Sequence, residues 1–141
     1  MARVLIPTDG SDTALRAVRW VIEQIRQGAA YQPSLLNVQP EILTSHARTY
    51  FARADLDALM AEQAREQLAP AEKLLTEAGI AFESSHDRGY APEVIAEHAK
   101  KGGYDQIIMG TRGLNRISGL LLGSAATGVL HLVDIPVTLI K

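Results

Sequence analysis

The sequence predicts an α/β fold: an open five-stranded parallel sheet in the order 3-2-1-4-5, with helices on both faces. Three observations carry that prediction. Strand-like and helix-like segments alternate along the 141 residues, the pattern of repeated βαβ units. Val4-Leu5-Ile6, Leu35-Leu36-Asn37-Val38 and Gln106-Ile107-Ile108-Met109 are short, nearly continuous apolar runs, as strands covered on both faces are. Glycine-rich turn chemistry separates these runs from the helical segments that follow, at Thr8-Asp9-Gly10-Ser11-Asp12 and at Gly110-Thr111-Arg112-Gly113.

The elements follow in order. Val4 to Ile6 forms the first strand, and Ser11 or Asp12 caps the helix after it. Ala14, Ala17, Val18, Val21, Ile22 and Ile25 repeat at helical spacing up to Gly28. Pro33 introduces the second strand, Leu35 to Val38, which stops at Pro40. Glu41 to about Phe51 has no clean period and reads as a loop with at most a short helix. Leu56, Leu59, Met60, Gln63, Gln67, Leu74, Leu75 and Ala78 lie along one stripe of a long helix ending at Gly79. Pro70, which lacks an N–H, is expected to kink or restart that helix. Ile80 to Ser84 alternates and is the most polar strand, hence an edge. Pro92 opens a third helix, Glu93 to Lys101, closed by Gly102-Gly103. The fourth strand, Gln106 to Met109, leads into the glycine loop, and a small-residue helix spans Ala125 to Val133. Val137 to Ile140 is the fifth strand, after Pro136.

Composition narrows the function classes. The length fits one domain, residues 1–141, and 47% apolar content supplies a real core. No apolar run approaches the roughly 18 residues that span a membrane, and the N-terminus does not read as a signal peptide, so a cytoplasmic location is expected. With no cysteine there is no disulfide, thiolate metal site or thiol nucleophile. A net charge of −2 without a basic cluster argues against nucleic acid as a partner. His46, His86, His98 and His131 are dispersed, without metal-ligand spacing. No Walker-type phosphate loop, no G-x-G-x-x-G after the first strand and no G-x-S-x-G elbow occurs.

The chemistry concentrates at two places. Gly110-Thr111-Arg112-Gly113, nine residues, then Gly123-Ser124 lies between a strand and a helix. Glycines there let main chain approach a ligand closely, and a Gly-Ser pair at a helix start offers N–H groups, a hydroxyl and the positive end of the helix dipole. That combination suits a phosphate chain. Pro7-Thr8-Asp9-Gly10-Ser11 stands at the carboxyl end of strand one. Where strand order reverses between strands one and four, the two loops converge on one crevice, the usual ligand position in open α/β sheets. Taken singly, each feature is also what an ordinary turn and helix cap would show.

The pattern G-x-x-G-x9-G-S resembles that of the nucleotide-binding universal stress protein family, and the resemblance covers essentially the whole chain. It runs through Val4 to Ser11, Leu35 to Val38, Gly89-Tyr90-Ala91-Pro92-Glu93, Tyr104 to Gly113, Leu120 to Ser124 and Ile135 to Ile140. The resemblance implies a Rossmann-like fold of the adenine nucleotide alpha hydrolase type and bound ATP with Mg²⁺ or Mn²⁺. It implies that Pro7, Thr8 and Asp9 line the adenosine side, with Asp9 near the ribose or a metal-bound phosphate. Val38 would present its backbone to the adenine edge. Met109, Gly110, Arg112 and Gly113 would hold the ribose and first phosphate; Gly123, Ser124 and Ala125 would hold the outer phosphates. Ala125-Ala126-Thr127-Gly128 departs from the family's usual residues after the Gly-Ser pair, and Gly128 weakens the helix by roughly 1 kcal/mol relative to Ala.

The function implied is an ATP-dependent regulatory or stress-response module, in which nucleotide orders the segment from Gly113 to Gly123 for an unknown protein partner. The alternatives are a slow ATP hydrolase or phosphotransferase, for which Asp9 is the one visible candidate, and a structural homodimer without nucleotide. A homodimer is expected through the uncharged last strand, where Thr138→Pro should remove an edge donor.

Overall fold

In a computed structural model, residues 1–41, 53–112 and 122–141 are described. They form nine elements: β1 (Ala2–Pro7), α1 (Asp12–Arg26), β2 (Tyr31–Gln39), α2 (Arg53–Glu77), β3 (Glu83–Arg88), α3 (Ala91–Lys101), β4 (Gln106–Gly110), α4 (Ser124–Leu132) and β5 (Val137–Ile140). The five strands make one sheet, β3-β2-β1-β4-β5, and every pairing is parallel. The expected loop between Glu41 and Phe51 lies outside the described residues beyond Glu41, as do His46 and Gly113.

Alternation along the strands sorts the core into two layers. Val4, Ile6, Leu35 and Ile108 face α1 and α2, meeting Val18, Val21, Leu68 and Leu75. Leu5, Leu36, Ile107 and Met109 face α3 and α4, meeting Ile95, Ala99, Ala126 and Val129. Neighbouring residues of one strand therefore serve opposite layers, which is why these strands read as continuous apolar runs. No helix among the described residues is long and apolar enough to cross a membrane.

Three expectations are corrected. β2 begins at Tyr31, so Pro33 lies within the strand, opposite Val4, rather than introducing it. β3 begins at Glu83 and runs to Arg88, later than the Ile80–Ser84 expected; Ile80 and Phe82 still pack on the α1/α2 core from the connecting turn. All six β3 residues are exposed, because an edge strand held by main-chain bonds tolerates polar side chains on both faces. Finally, of the two outcomes expected at Pro70 the restart does not occur: α2 runs through it. Its buried stripe is Met60, Ala64, Leu68, Ala71 and Leu75, while Leu59 points outward at 44% exposure. The stripe's burial against the sheet outweighs the single hydrogen bond that a proline removes.

Candidate functional site

After β1 the chain turns into α1 on one face of the sheet, and after β4 it continues toward α4 on the other. The divergence opens a crevice at the carboxyl ends of these neighbouring strands. A cavity of about 380 Å³ occupies it, within the range of small-molecule sites. Three helix N-termini reach this cavity, through Ala14 of α1, Ala91 of α3 and Ser124 of α4.

The floor is the turn after β1. Gly10 takes φ +82°, a conformation that favours glycine, and a Cβ there would lie 3.1 Å from the Gln67 carbonyl oxygen. The turn is thus pressed against the backbone of α2. Asp9 Oδ1 accepts the Ser11 N–H at 3.0 Å, and Ser11, the N-cap of α1, accepts the Ala14 N–H at 3.3 Å.

The β2 side is braced by buried and half-buried amides, of which Gln39 and Gln67 reach the cavity. Leu35, Asn37 and Gln39 point to the α2 face, yet Asn37 and Gln39 are polar and almost fully buried. Asn37 Nδ2 donates to the Thr8 carbonyl and to Gln67 Oε1, both at 2.9 Å. Gln39 Nε2 donates to Asn37 Oδ1 at 2.7 Å and to Gln67 Oε1 at 3.1 Å. The Thr8 carbonyl can only accept, so it fixes the sense of the whole chain of amides. Beside them, the Leu36 carbonyl accepts the Thr8 N–H at 2.9 Å, while the Gln39 carbonyl accepts the Gly89 N–H at 3.0 Å on the other side. By the two-residue period, Val38 directs its N–H and C=O the way Leu36 does, past the end of β1 and over the crevice.

The β4 side is built from main chain. A Cβ on Gly110 would lie 2.8 Å from Thr13 Cγ2 and 3.0 Å from the Thr13 backbone, so this glycine first of all lets α1 approach β4. Gly123 donates its N–H to the Thr111 carbonyl and accepts from the Thr127 N–H, which ties the start of α4 to the end of β4. Gly123, not Ser124, is the N-cap, with φ −71° and no side-chain cap. Ser124 is the first helical residue and is exposed. The first turn of α4 carries no acidic residue. Its N–H groups therefore meet the cavity without a capping side chain, an arrangement favourable to an anion. Gly128, which weakens the helix locally, lets α4 close on α3: a Cβ there would lie 2.6 Å from Pro92 Cβ and Cγ.

Pro7, Thr8, Asp9, Val38, Met109, Gly110, Arg112, Gly123, Ser124 and Ala125 all line this cavity; Gly113 lies outside the described residues. Sequence reasoning missed Gln39, Gln67, Gly89 and Tyr90, which complete the β2 end. Asp9 and Arg112 are the charged residues among the described lining. No cluster of three or more His, Asp or Glu able to cage a metal occurs among the described residues. Away from the cavity, the Arg88 N–H and the neighbouring His98 hold Asp87 below its ordinary pKa.

A sequence model of the universal stress protein family matches residues 1–141. Universal stress protein MJ0531 of Methanocaldococcus jannaschii is 29% identical, covering 99% of this chain and 81% of that protein. Universal stress protein YxiE of Bacillus subtilis is 27% identical over 99% of this chain and 98% of its own length. The solved structure of protein MJ0577 superimposes with a TM-score of 0.82 at 28% identity, over 99% of this chain and 94% of the other. Three more distant universal stress proteins share the fold. One, from Arabidopsis thaliana, has AMP bound (21% identity, 100% of this chain and 92% of that one, TM-score 0.71). Another is in complex with cAMP (23%, 99% and 97%, 0.73). A third, from Archaeoglobus fulgidus, is in complex with dAMP (23%, 100% and 98%, 0.67).

Proposed function

This chain belongs to the universal stress protein family, and from that premise we propose that its crevice binds an adenine nucleotide, ATP carried with Mg²⁺ or Mn²⁺. One observation carries the reading: the two walls suit the two ends of such a ligand. Val38 main chain offers a donor and an acceptor at the β2 end, fitting the edge of adenine. The uncapped start of α4 offers N–H groups at the β4 end, fitting phosphate. The ends are separated by β1, two strand spacings or about 10 Å, a span suited to a base and its phosphates.

In this pose the ribose lies over Pro7, Thr8 and Asp9, against Met109 and Gly110. Arg112 and the N–H groups of Ser124 and Ala125 meet the phosphates. Mg²⁺ is commonly held by one or two carboxylates together with phosphate oxygens, so Asp9 suffices as the protein's share. AMP, cAMP and dAMP on fold relatives support the ligand class.

The role proposed is that of a single-domain cytoplasmic module whose nucleotide state is read by a protein partner. It is proposed to act as a homodimer through β5, an edge strand without a charged residue. The carbonyls of Pro136 and Ile140 accept the N–H groups of Ile107 in β4 and of Thr111 just after it, so Thr138 between them also faces β4. A proline that removes an edge donor therefore belongs at Leu139, not at Thr138.

The test is ligand-linked stability. ATP with Mg²⁺ at a hundredfold excess over its Kd should stabilise the nucleotide-free protein by about 2.7 kcal/mol, read as a raised melting temperature. A melting temperature unmoved by millimolar ATP would refute the reading.

A further inference from the structure

We propose that Tyr90 is a base-stacking residue, its ring covering the face of the purine that the rest of the crevice leaves open. The proposal rests on the adenine-nucleotide reading and adds a recognition group to it. Tyr90 is 63% exposed, an uncommon state for so large an aromatic surface. Met1, Leu59, Leu130 and Leu132 are the other exposed large hydrophobics described, and none of them lines the cavity. Tyr90 does, and it is the sole aromatic among the described lining residues.

Its mount is rigid while its ring is available. The preceding Gly89 is bound to the Gln39 carbonyl at the end of β2, which places Tyr90 at the end of the crevice assigned to the base. Gly89 sits at φ +141°, where a side chain would be strained and a Cβ would lie 2.9 Å from Val94 Cγ2. On the other side, the Tyr90 carbonyl accepts the Val94 N–H at 3.0 Å, the first bond of α3. Tyr90 is the N-cap of that helix, yet its side chain makes no capping bond. Backbone position is thus fixed on both sides, and the ring is not spent on the helix.

A purine needs cover for two faces as well as partners for its edge. Leu36, Val38 and Ile95 supply an aliphatic surface within the cavity, enough for one face. The second face would be left in water unless a flat group closes over it. Stacking on an aromatic ring provides that cover without demanding a specific hydrogen bond.

The experiment titrates ATP with Mg²⁺ into the full chain and into Tyr90→Ala, Tyr90→Phe and Tyr90→Trp. Because Tyr90 is exposed, the ligand-free melting temperatures should stay close to that of the parent. Tyr90→Ala should weaken ATP binding about 5- to 150-fold, the range of a lost stacking contact, while Tyr90→Phe should stay within about threefold of the parent. In Tyr90→Trp, ATP should quench the new indole, with the half-buried Trp20 of α1 as a constant background. Parent-like affinity in Tyr90→Ala overturns the proposal and leaves the nucleotide reading standing. A Phe variant as weak as the Ala variant also overturns it, since the hydroxyl rather than the ring would then matter. A parent that binds no ATP removes the nucleotide reading itself, and this proposal with it.

Discussion

The β2 wall of the crevice is braced by side-chain amides, and the β4 wall by close main-chain packing. At β2, three amides from two elements satisfy one another around the Thr8 carbonyl and hold α2 against the sheet. At β4, Gly110 brings α1 close to the strand end, Gly128 lets α4 close on α3, and N–H groups do the presenting. The two constructions fail in opposite ways. A side-chain wall is weakened when a polar atom is taken away, because its buried partners lose their bonds. A main-chain wall is weakened when an atom is added, because the packing has no room for it.

The largest effect should therefore come from an addition at β4. Gly110→Val would place its Cβ 2.8 Å from Thr13 Cγ2 and 3.0 Å from the Thr13 carbonyl carbon and oxygen. Backbone cannot rotate aside as a side-chain tip can, so α1 must shift. The expected cost is about 3 kcal/mol or more in urea denaturation, at the upper end for an overpacked core, with loss of ATP binding. A valine variant as stable as the parent would show that Gly110 does not set the α1–β4 contact.

A deletion at β2 should come next. Gln67→Leu removes the one oxygen shared by Asn37 Nδ2 and Gln39 Nε2. Each donor keeps a second acceptor, the Thr8 carbonyl and Asn37 Oδ1 respectively, so the network is weakened rather than abolished. The expected loss is about 1–3 kcal/mol of folding stability, measured by the same denaturation. Stability equal to the parent's would mean that the amide wall is incidental to how α2 docks.

The same contrast explains what could be read in the sequence. The β4 wall is local in the chain: a strand, glycines at fixed spacing and a helix start leave a contiguous signature. The layered parallel sheet was legible too, because continuous apolar runs demand cover on both faces. The β2 wall leaves no such signature. Gln67 lies 28 residues from Gln39 and 30 from Asn37, and a glutamine on a helix reads as solvated until the fold supplies its partners. Gly128 was legible only as a weak helix residue, since its contact with Pro92 is tertiary. The β3 boundary slipped because Ser85 to Arg88 join the sheet through main-chain pairing with Leu36 to Gln39, which side-chain pattern does not report.

The smallest effect should come from deleting a side chain on the main-chain wall. Ser124 stands where the Gly-Ser signature invites a hydroxyl–phosphate role, yet it is the first helical residue rather than the cap, and it is exposed. Removing Oγ leaves the N–H groups of Ser124 and Ala125 in place and puts the best helix former at an exposed helical position. Folding stability of Ser124→Ala should thus remain within about 0.5 kcal/mol of the parent's. Its ATP affinity should fall by about 1 kcal/mol at most, the net worth of one hydrogen bond beside several that remain. Calorimetric titration of ATP into both proteins measures the difference directly. A loss of about 3 kcal/mol, more than a lone neutral hydrogen bond accounts for, would make Ser124 a principal ligand group and the β4 wall a side-chain site after all.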